Sequence, residues 1–174
     1  MSPMSSKSFI VTAAVVAAAV TATTGPAGSP TAAAAPPGFP DVNTFTPVDS
    51  KLYTISKPDS TFIGFVTARG VSCTWAYSSD PNAHGPVECN GNIMGIPDSA
   101  PDGGSSGCAS AKSDAPITKH GGACPPFSSS LATLNGGQKL TAVNVTCVVG
   151  VDGLTACIDG DHGLVLQSSG SWTF

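Results

Sequence analysis

The sharpest pattern in the chain lies near its end. Over residues 140–149 apolar and polar side chains alternate, so that Val143, Val145, Cys147 and Val149 would face one side and Asn144 and Thr146 the other. A period of two is that of a half-buried strand, because successive side chains leave a strand on opposite faces. Val151-Asp152-Gly153 then reads as a three-residue hairpin loop, a type I turn followed by glycine in the left-handed region. Residues 154–158 return, and 163–167 and 171–174 add a further hairpin around Ser168-Ser169-Gly170. The segment from 140 to the C-terminal Phe174 is therefore expected to be a β-meander.

Upstream, two runs rich in aromatic and β-branched residues, 61–67 and 71–77, flank Ala68-Arg69-Gly70 and predict another hairpin, with a strand at 86–90 after it. Residues 36–60 are rich in Pro, Asp, Ser and Thr and read as an extended lead-in, in which 51–55 could form an edge strand. Residues 91–136 show no sustained period and are dominated by Gly, Ser, Pro, Asp and Ala. They are expected to form a long central loop, with 128–134 as one short helix ended by Gly136. The fold class that follows is mainly β: a small, disulfide-stapled antiparallel domain, sandwich or meander, with a long Gly/Ser/Pro-rich central loop.

The hairpin loop also sets a register. If Gly150 and Leu154 close it, 149 pairs with 155, 148 with 156 and 147 with 157. Cys147 then stands opposite Cys157 at a non-hydrogen-bonded site, where Cα atoms approach to about 4.5 Å. That separation is at the short end of what a disulfide accepts. The other four cysteines, Cys73, Cys89, Cys108 and Cys124, have three possible pairings, of which the nearest-neighbour set Cys73–Cys89 and Cys108–Cys124 is preferred.

The first 35 residues differ from the rest. Lys7 is the only charge before Asp41 and precedes an apolar run over 9–22, shorter than the roughly 20 residues of a membrane span. Small residues at 31–35 follow Gly25-Pro26. Residues 1–35 are read as a signal peptide cut after Ala34 or Ala35, with Ala22 as an earlier alternative. The lead-in 36–60 and a single β-rich domain over 61–174 would remain. An even number of cysteines in an exported chain, with no CxxC pair, points to disulfides rather than zinc.

Composition narrows the function classes. The chain has 174 residues, a formal net charge of −4 and only 10% charged residues, so it lacks the basic surplus that a phosphate backbone demands. Its 20 Gly and 15 Pro argue against a helix bundle.

The segments Arg69-Gly70-Val71-Ser72-Cys73-Thr74-Trp75, Val87-Glu88-Cys89-Asn90-Gly91 and Asp152-Gly153-Leu154-Thr155-Ala156-Cys157, with His162-Gly163-Leu164-Val165-Leu166 after them, resemble small secreted proteins of mycobacteria and related actinobacteria of uncharacterised function. The resemblance covers 61–97 and 138–174. It implies secretion, with loose association to the cell envelope as a variant, and carries no catalytic residues to transfer.

Chemistry-bearing positions are few. Asp161-His162 sits near Asp159, but no Gly-x-Ser-x-Gly elbow accompanies it, and neighbours on a strand point to opposite faces. Residues 159–163 read as a polar turn between strands. His120 lies four positions before Cys124 and could ligate a metal only beside a reduced thiol. Asp159 and Asp161 lack the oxygen-rich spacing of a calcium loop. Asn144-Val145-Thr146 is a glycosylation sequon on the outward face. Trp75, Tyr77 and Trp172 read as core or sheet-face residues. No catalytic, cofactor or metal site is assigned and no cofactor is expected; Asp161, His162 and His120 are the functional candidates. Two readings follow. One is a non-catalytic exported module binding an extracellular or envelope protein or ligand, not nucleic acid, through the stretch 95–130. The other is a secreted hydrolase with a His-centred site.

Overall fold

A computed structural model describes residues 36–77, 84–96, 102–103, 108–120, 123–124 and 130–174. Residues 1–35, expected to be a signal peptide, lie outside them. The described residues fall in one compact unit. Its strands are β1 (Thr46–Pro47), β2 (Thr54–Lys57), β3 (Ser60–Val66), β4 (Val71–Ala76), β5 (Glu88–Asn92), β6 (Asp102–Gly103) and β7 (Cys108–Lys112). They continue as β8 (Ala115–His120), β9 (Ala132–Thr133), β10 (Gln138–Ala142), β11 (Val145–Val149), β12 (Thr155–Asp159), β13 (His162–Leu166) and β14 (Trp172–Thr173). Two mainly antiparallel sheets result. Sheet A has the order β1-β10-β11-β12-β13-β14, and sheet B the order β2-β3-β4-β5-β7-β8-β6, with β9 beside β3.

The sheets share one core. From sheet B come Ile63, Phe65, Cys73, Trp75, Cys89, Ala109, Ala111 and Ile117; from sheet A come Leu140, Val145, Cys147, Val149, Cys157 and Leu164, all at most 4% exposed. This is a β-sandwich, in which alternate positions of each strand interdigitate between the layers. The C-terminal meander has the expected register, with Cys147 opposite Cys157, Val148 opposite Ala156 and Val149 opposite Thr155. Gly150 N–H donates to Leu154 C=O (2.8 Å) and Gly153 N–H to Gly150 C=O (3.1 Å). Disulfides join Cys73 to Cys89, Cys108 to Cys124 and Cys147 to Cys157.

A second turn of the same kind joins β3 to β4: Thr67 N–H donates to Val71 C=O and Gly70 N–H to Thr67 C=O. Gly70 (φ +76°) and Gly153 (φ +89°) supply the left-handed position in each. The two turns meet, because an Arg69 guanidinium nitrogen donates to Asp152 C=O at 2.8 Å. A Cβ on Gly153 would collide with that guanidinium.

Three expectations are corrected. Residues 140–149 are not one strand: Ala142 pairs with Val145 across a turn at Val143-Asn144, so β10 and β11 are separate. Val143 takes φ +57°, a left-handed conformation that β-branched residues rarely adopt, and no turn signature marks it. The stretch 91–136 is not a loop throughout, since the β7–β8 hairpin lies within it. Ala109 and Ala111 alternate inward there, but alanine has low strand propensity, and Ala111 is kept small opposite Cys89 and its disulfide. The helix expected at 128–134 gives way, where described, to β9, paired in parallel with β3, and to the fully buried Leu134; residues 128 and 129 lie outside the described set.

Within the lead-in 36–60, the expected edge strand stands at Thr54–Lys57 as β2, paired with β3, and the residues before it pack against the sheets. Phe39, Val42 and Phe45 pack on the outer face of sheet A, over Val148, Ala156 and Val165. Phe39 meets Phe174 edge-on at 5.9 Å. Two 3₁₀ turns, Val42–Thr44 and Ser50–Tyr53, are each capped by an aspartate, Asp41 and Asp49. Proline-rich composition concealed three aromatic or β-branched anchors that need a hydrophobic face to bury.

Candidate functional site

The outer face of sheet B carries a polar row that alternation dictates. With Phe65, Cys73, Cys89 and Ala111 turned inward, the neighbouring positions Ser72, Asn90, Ser110 and Thr118 stand opposite one another across four strands on the other side. Glu88 and Lys112 form the adjacent pair. The ends of this face are bounded by Leu131, which lies over Gly64, and by the Cys108–Cys124 bridge.

The side chains form a directed chain. Lys112 Nζ lies 3.4 Å from Glu88 Oε2. Asn90 Nδ2 donates to Glu88 Oε1 at 3.2 Å. A carboxylate only accepts, so the amide nitrogen must face Glu88 and the amide oxygen must face away. Ser110 Oγ–H donates to that oxygen in a short hydrogen bond. Ser110 Oγ also lies 2.6 Å from His120 Nε2. Its only proton is committed to Asn90, so His120 Nε2–H is the donor in this contact. Polarity therefore runs from His120 to Ser110 to Asn90 to Glu88, with Lys112 closing the other end. A nucleophilic serine has to hand its proton to the imidazole instead.

A second cluster occupies the rim where the sheets meet. Asp159 and His162 face each other across the two-residue turn Gly160-Asp161. The expected polar turn is thus present: Asp161 and His162 are both exposed, and Asp161 sits at the turn's tip. Asp159 Oδ1 lies 3.3 Å from His84 Nε2, with both side chains largely buried. His84 Nδ1 lies 3.1 Å from Gly85 C=O. Burial pushes the Asp159 carboxyl above its ordinary value; His84 and His162 pull it back, Asp114 pushes it up and the Ser113 hydroxyl hydrogen bond lowers it. Ser113 is itself only 1% exposed and accepts from Val87 N–H at 3.1 Å, which holds the β7–β8 turn against β5. A cleft of about 230 Å³ beside the cluster is lined by Ser113, Asp114, His162 and Phe174.

Of the three candidates read from the sequence, His120 thus joins the sheet B row and His162 the rim cluster, while Asp161 joins neither. His84, Asn90, Glu88 and Ser110 carry most of the geometry, yet none stands out in the sequence as a functional residue. Strand alternation at 88–90 and 108–112 is the signal that could have found three of them; His84 meets Asp159 only through sheet packing. Asn144 is exposed in its turn. Trp75 is core, Tyr77 is half-exposed, and Trp172 packs on the outer face of sheet A.

The sulfurs of Cys73, Cys89 and Cys157 all lie within 4.8 Å of one another. They are oxidised in two disulfides and offer no thiolate to a metal. No other trio of His, Cys, Asp or Glu among the described residues converges as closely. Among those residues, no helix is long and apolar enough to cross a membrane. No protein-family model, no curated protein and no solved structure matches this chain.

Proposed function

We propose that the protein is an exported, non-catalytic binding module whose recognition surface is the polar outer face of sheet B. The observation that carries this reading is the ordered chain His120–Ser110–Asn90–Glu88–Lys112 on a part-exposed sheet face. A rigid sheet that presents fixed donors and acceptors pre-organises hydrogen bonding to a polar partner in the envelope or extracellular medium. The apolar run over 9–22 with small residues at 31–35 and the three disulfides support export.

The second reading, a secreted hydrolase, draws on the 2.6 Å Ser110–His120 contact. Its weakness is the direction of the Ser110 proton. Both are tested with the immobilised protein and culture filtrate. Capture of a partner is expected for the parent and lost in Asn90→Ala/His120→Ala, while Val151→Asp at an exposed loop tip leaves it intact. Capture indifferent to the double substitution overturns the binding face. Ester hydrolysis that vanishes in Ser110→Ala favours the hydrolase.

A further inference from the structure

Each core disulfide bridges two neighbouring strands of one sheet: Cys73–Cys89 joins β4 to β5, and Cys147–Cys157 joins β11 to β12. All four cysteines are 0% exposed and belong to the same core. The two bridges therefore lie against each other across the sandwich, one from each layer. The contact is asymmetric. Cys157 Sγ lies within 4.8 Å of both Cys73 Sγ and Cys89 Sγ, whereas Cys147 Sγ falls outside that group. The third disulfide takes no part, because Cys108 and Cys124 stand on the outer face of sheet B.

We propose that the two core disulfides form an exchange pair, in which reduction of Cys147–Cys157 moves a bond from within the sheets to between them. When a local opening of the core admits a thiol reductant to the otherwise buried Cys147 Sγ, a mixed disulfide forms there and Cys157 is released as thiolate. That thiolate attacks Cys73 Sγ or Cys89 Sγ; the new bond to Cys157 forms, the Cys73–Cys89 bond breaks, and its other sulfur leaves as thiolate and takes a proton. A second reductant thiol frees Cys147 and departs as the oxidised reductant. The balance is two reductant thiols oxidised to one disulfide, two protein disulfides converted to one, and two protein thiols formed.

Proximity drives the second step. Once released, the Cys157 thiolate lies within 4.8 Å of both target sulfurs, so the intramolecular attack has a higher effective concentration than a second external thiol. The outcome is structural. In the native protein no disulfide ties sheet A to sheet B; after exchange, β12 is bonded to β4 or β5. A mild reducing challenge would then staple the sandwich rather than simply loosen it.

Partial reduction of the whole protein with limiting dithiothreitol tests this. Thiols are trapped with N-ethylmaleimide at low pH, and non-reducing peptide maps are read by mass spectrometry. Peptides linking Cys157 to Cys73 or Cys89 are expected, with Cys108–Cys124 conserved or reduced but never scrambled into the core. Maps containing only the native pairs overturn the proposal, as does random mixing with Cys108 or Cys124, which would mean exchange in unfolded chains. Two variants add an independent reading. Cys147→Ser leaves Cys157 beside the other bridge, and a Cys157 link to Cys73 or Cys89 is expected without any reductant. Cys157→Ser leaves Cys147, and Cys73–Cys89 should stay intact. If Cys157 remains a quantitative free thiol in the first variant, or both variants scramble alike, the asymmetry is absent and the proposal fails.

Discussion

The two sheets are built alike inside and differently outside. Each contributes a cross-strand disulfide to the core, and each begins a hairpin with a three-residue turn ending in glycine. On the outer side of sheet A, the row Val148, Ala156, Val165 and Trp172 runs straight across four strands, and Phe39, Val42 and Phe45 cover it. The corresponding row on sheet B is Ser72, Asn90, Ser110 and Thr118. An antiparallel sheet can face water on one side only if alternate residues are polar. Sheet A is apolar on both faces and so requires a third layer, which the N-terminal segment supplies; sheet B keeps a polar face for solvent or a partner. The same architecture thus assigns support to one sheet and presentation to the other.

The most severe way to break the comparison is to remove a core bridge. Cys157→Ala should destabilise the protein by roughly 2–5 kcal/mol, read as a lower urea midpoint, because loop-closure entropy returns to the unfolded chain and a fully packed site loses its partner. His162→Ala, an exposed rim residue, should change the midpoint far less. Equal losses from both would show that the rim cluster matters as much to stability as the bridge within sheet A.

Next comes the third layer. Phe39 is half-buried and stacked edge-on against Phe174. Phe39→Ala should cost about 2 kcal/mol, below the range for a fully buried phenylalanine. An unchanged midpoint would mean that residues 36–47 decorate sheet A without supporting it.

These elements were not equally legible. The Val151-Asp152-Gly153 loop has a conformational signature, and from it the register, the Cys147–Cys157 bond and the face of each residue in β11 could be counted. The split at Val143-Asn144 was hidden because a β-branched residue in the left-handed region leaves no trace in the alternation. The hairpin at 108–120 was hidden because the inward residues of its first strand are the alanines Ala109 and Ala111, the latter kept small by the disulfide of Cys89 opposite it rather than chosen by strand propensity. The role of Phe39, Val42 and Phe45 depends on a second apolar face of sheet A, visible only once Val148, Ala156 and Val165 are aligned. Of the two polar clusters, the sheet B row follows from alternation once β5 and β7 are known. The rim cluster does not, since His84 and Asp159 come from different sheets.

The rim sharpens the comparison through pH. Asp159 is carried by sheet A and His84 by the segment leading into β5 of sheet B. Burial raises the Asp159 pKa above its ordinary 3.8 despite the pull of two histidines. An acid that holds its proton more tightly when folded contributes stability that is fully present below its unfolded value and is lost as pH rises through the raised folded value. This is opposite to the usual salt-bridged carboxylate. Asp159→Asn should remove that fall, so the difference in Tm between variant and parent should shift in the variant's favour from about pH 3 to about pH 6. A difference that moves the other way would mean that the His84 ion pair outweighs the burial of the carboxylate.

The smallest effect is expected on the presenting face, and it separates stability from geometry. Asn90→Ala removes the central member of the sheet B chain, but its partners are part-exposed and water can replace the lost bonds. Stability should change by no more than about 0.5 kcal/mol, as for surface substitutions generally. The hydrogen-bond direction should change nonetheless. With Asn90 Oδ1 present, the Ser110 proton is held by the amide and His120 Nε2 must donate; without it, the Ser110 hydroxyl can turn toward the imidazole. Nitrogen-15 NMR of the His120 ring should therefore show a protonated Nε2 in the parent and a smaller Nε2–H population in Asn90→Ala. A parent whose Nε2 is already unprotonated would reverse the chain's polarity, place the Ser110 proton on the histidine side, and move the reading of this sheet from the proposed binding surface toward the serine–histidine chemistry of the hydrolase.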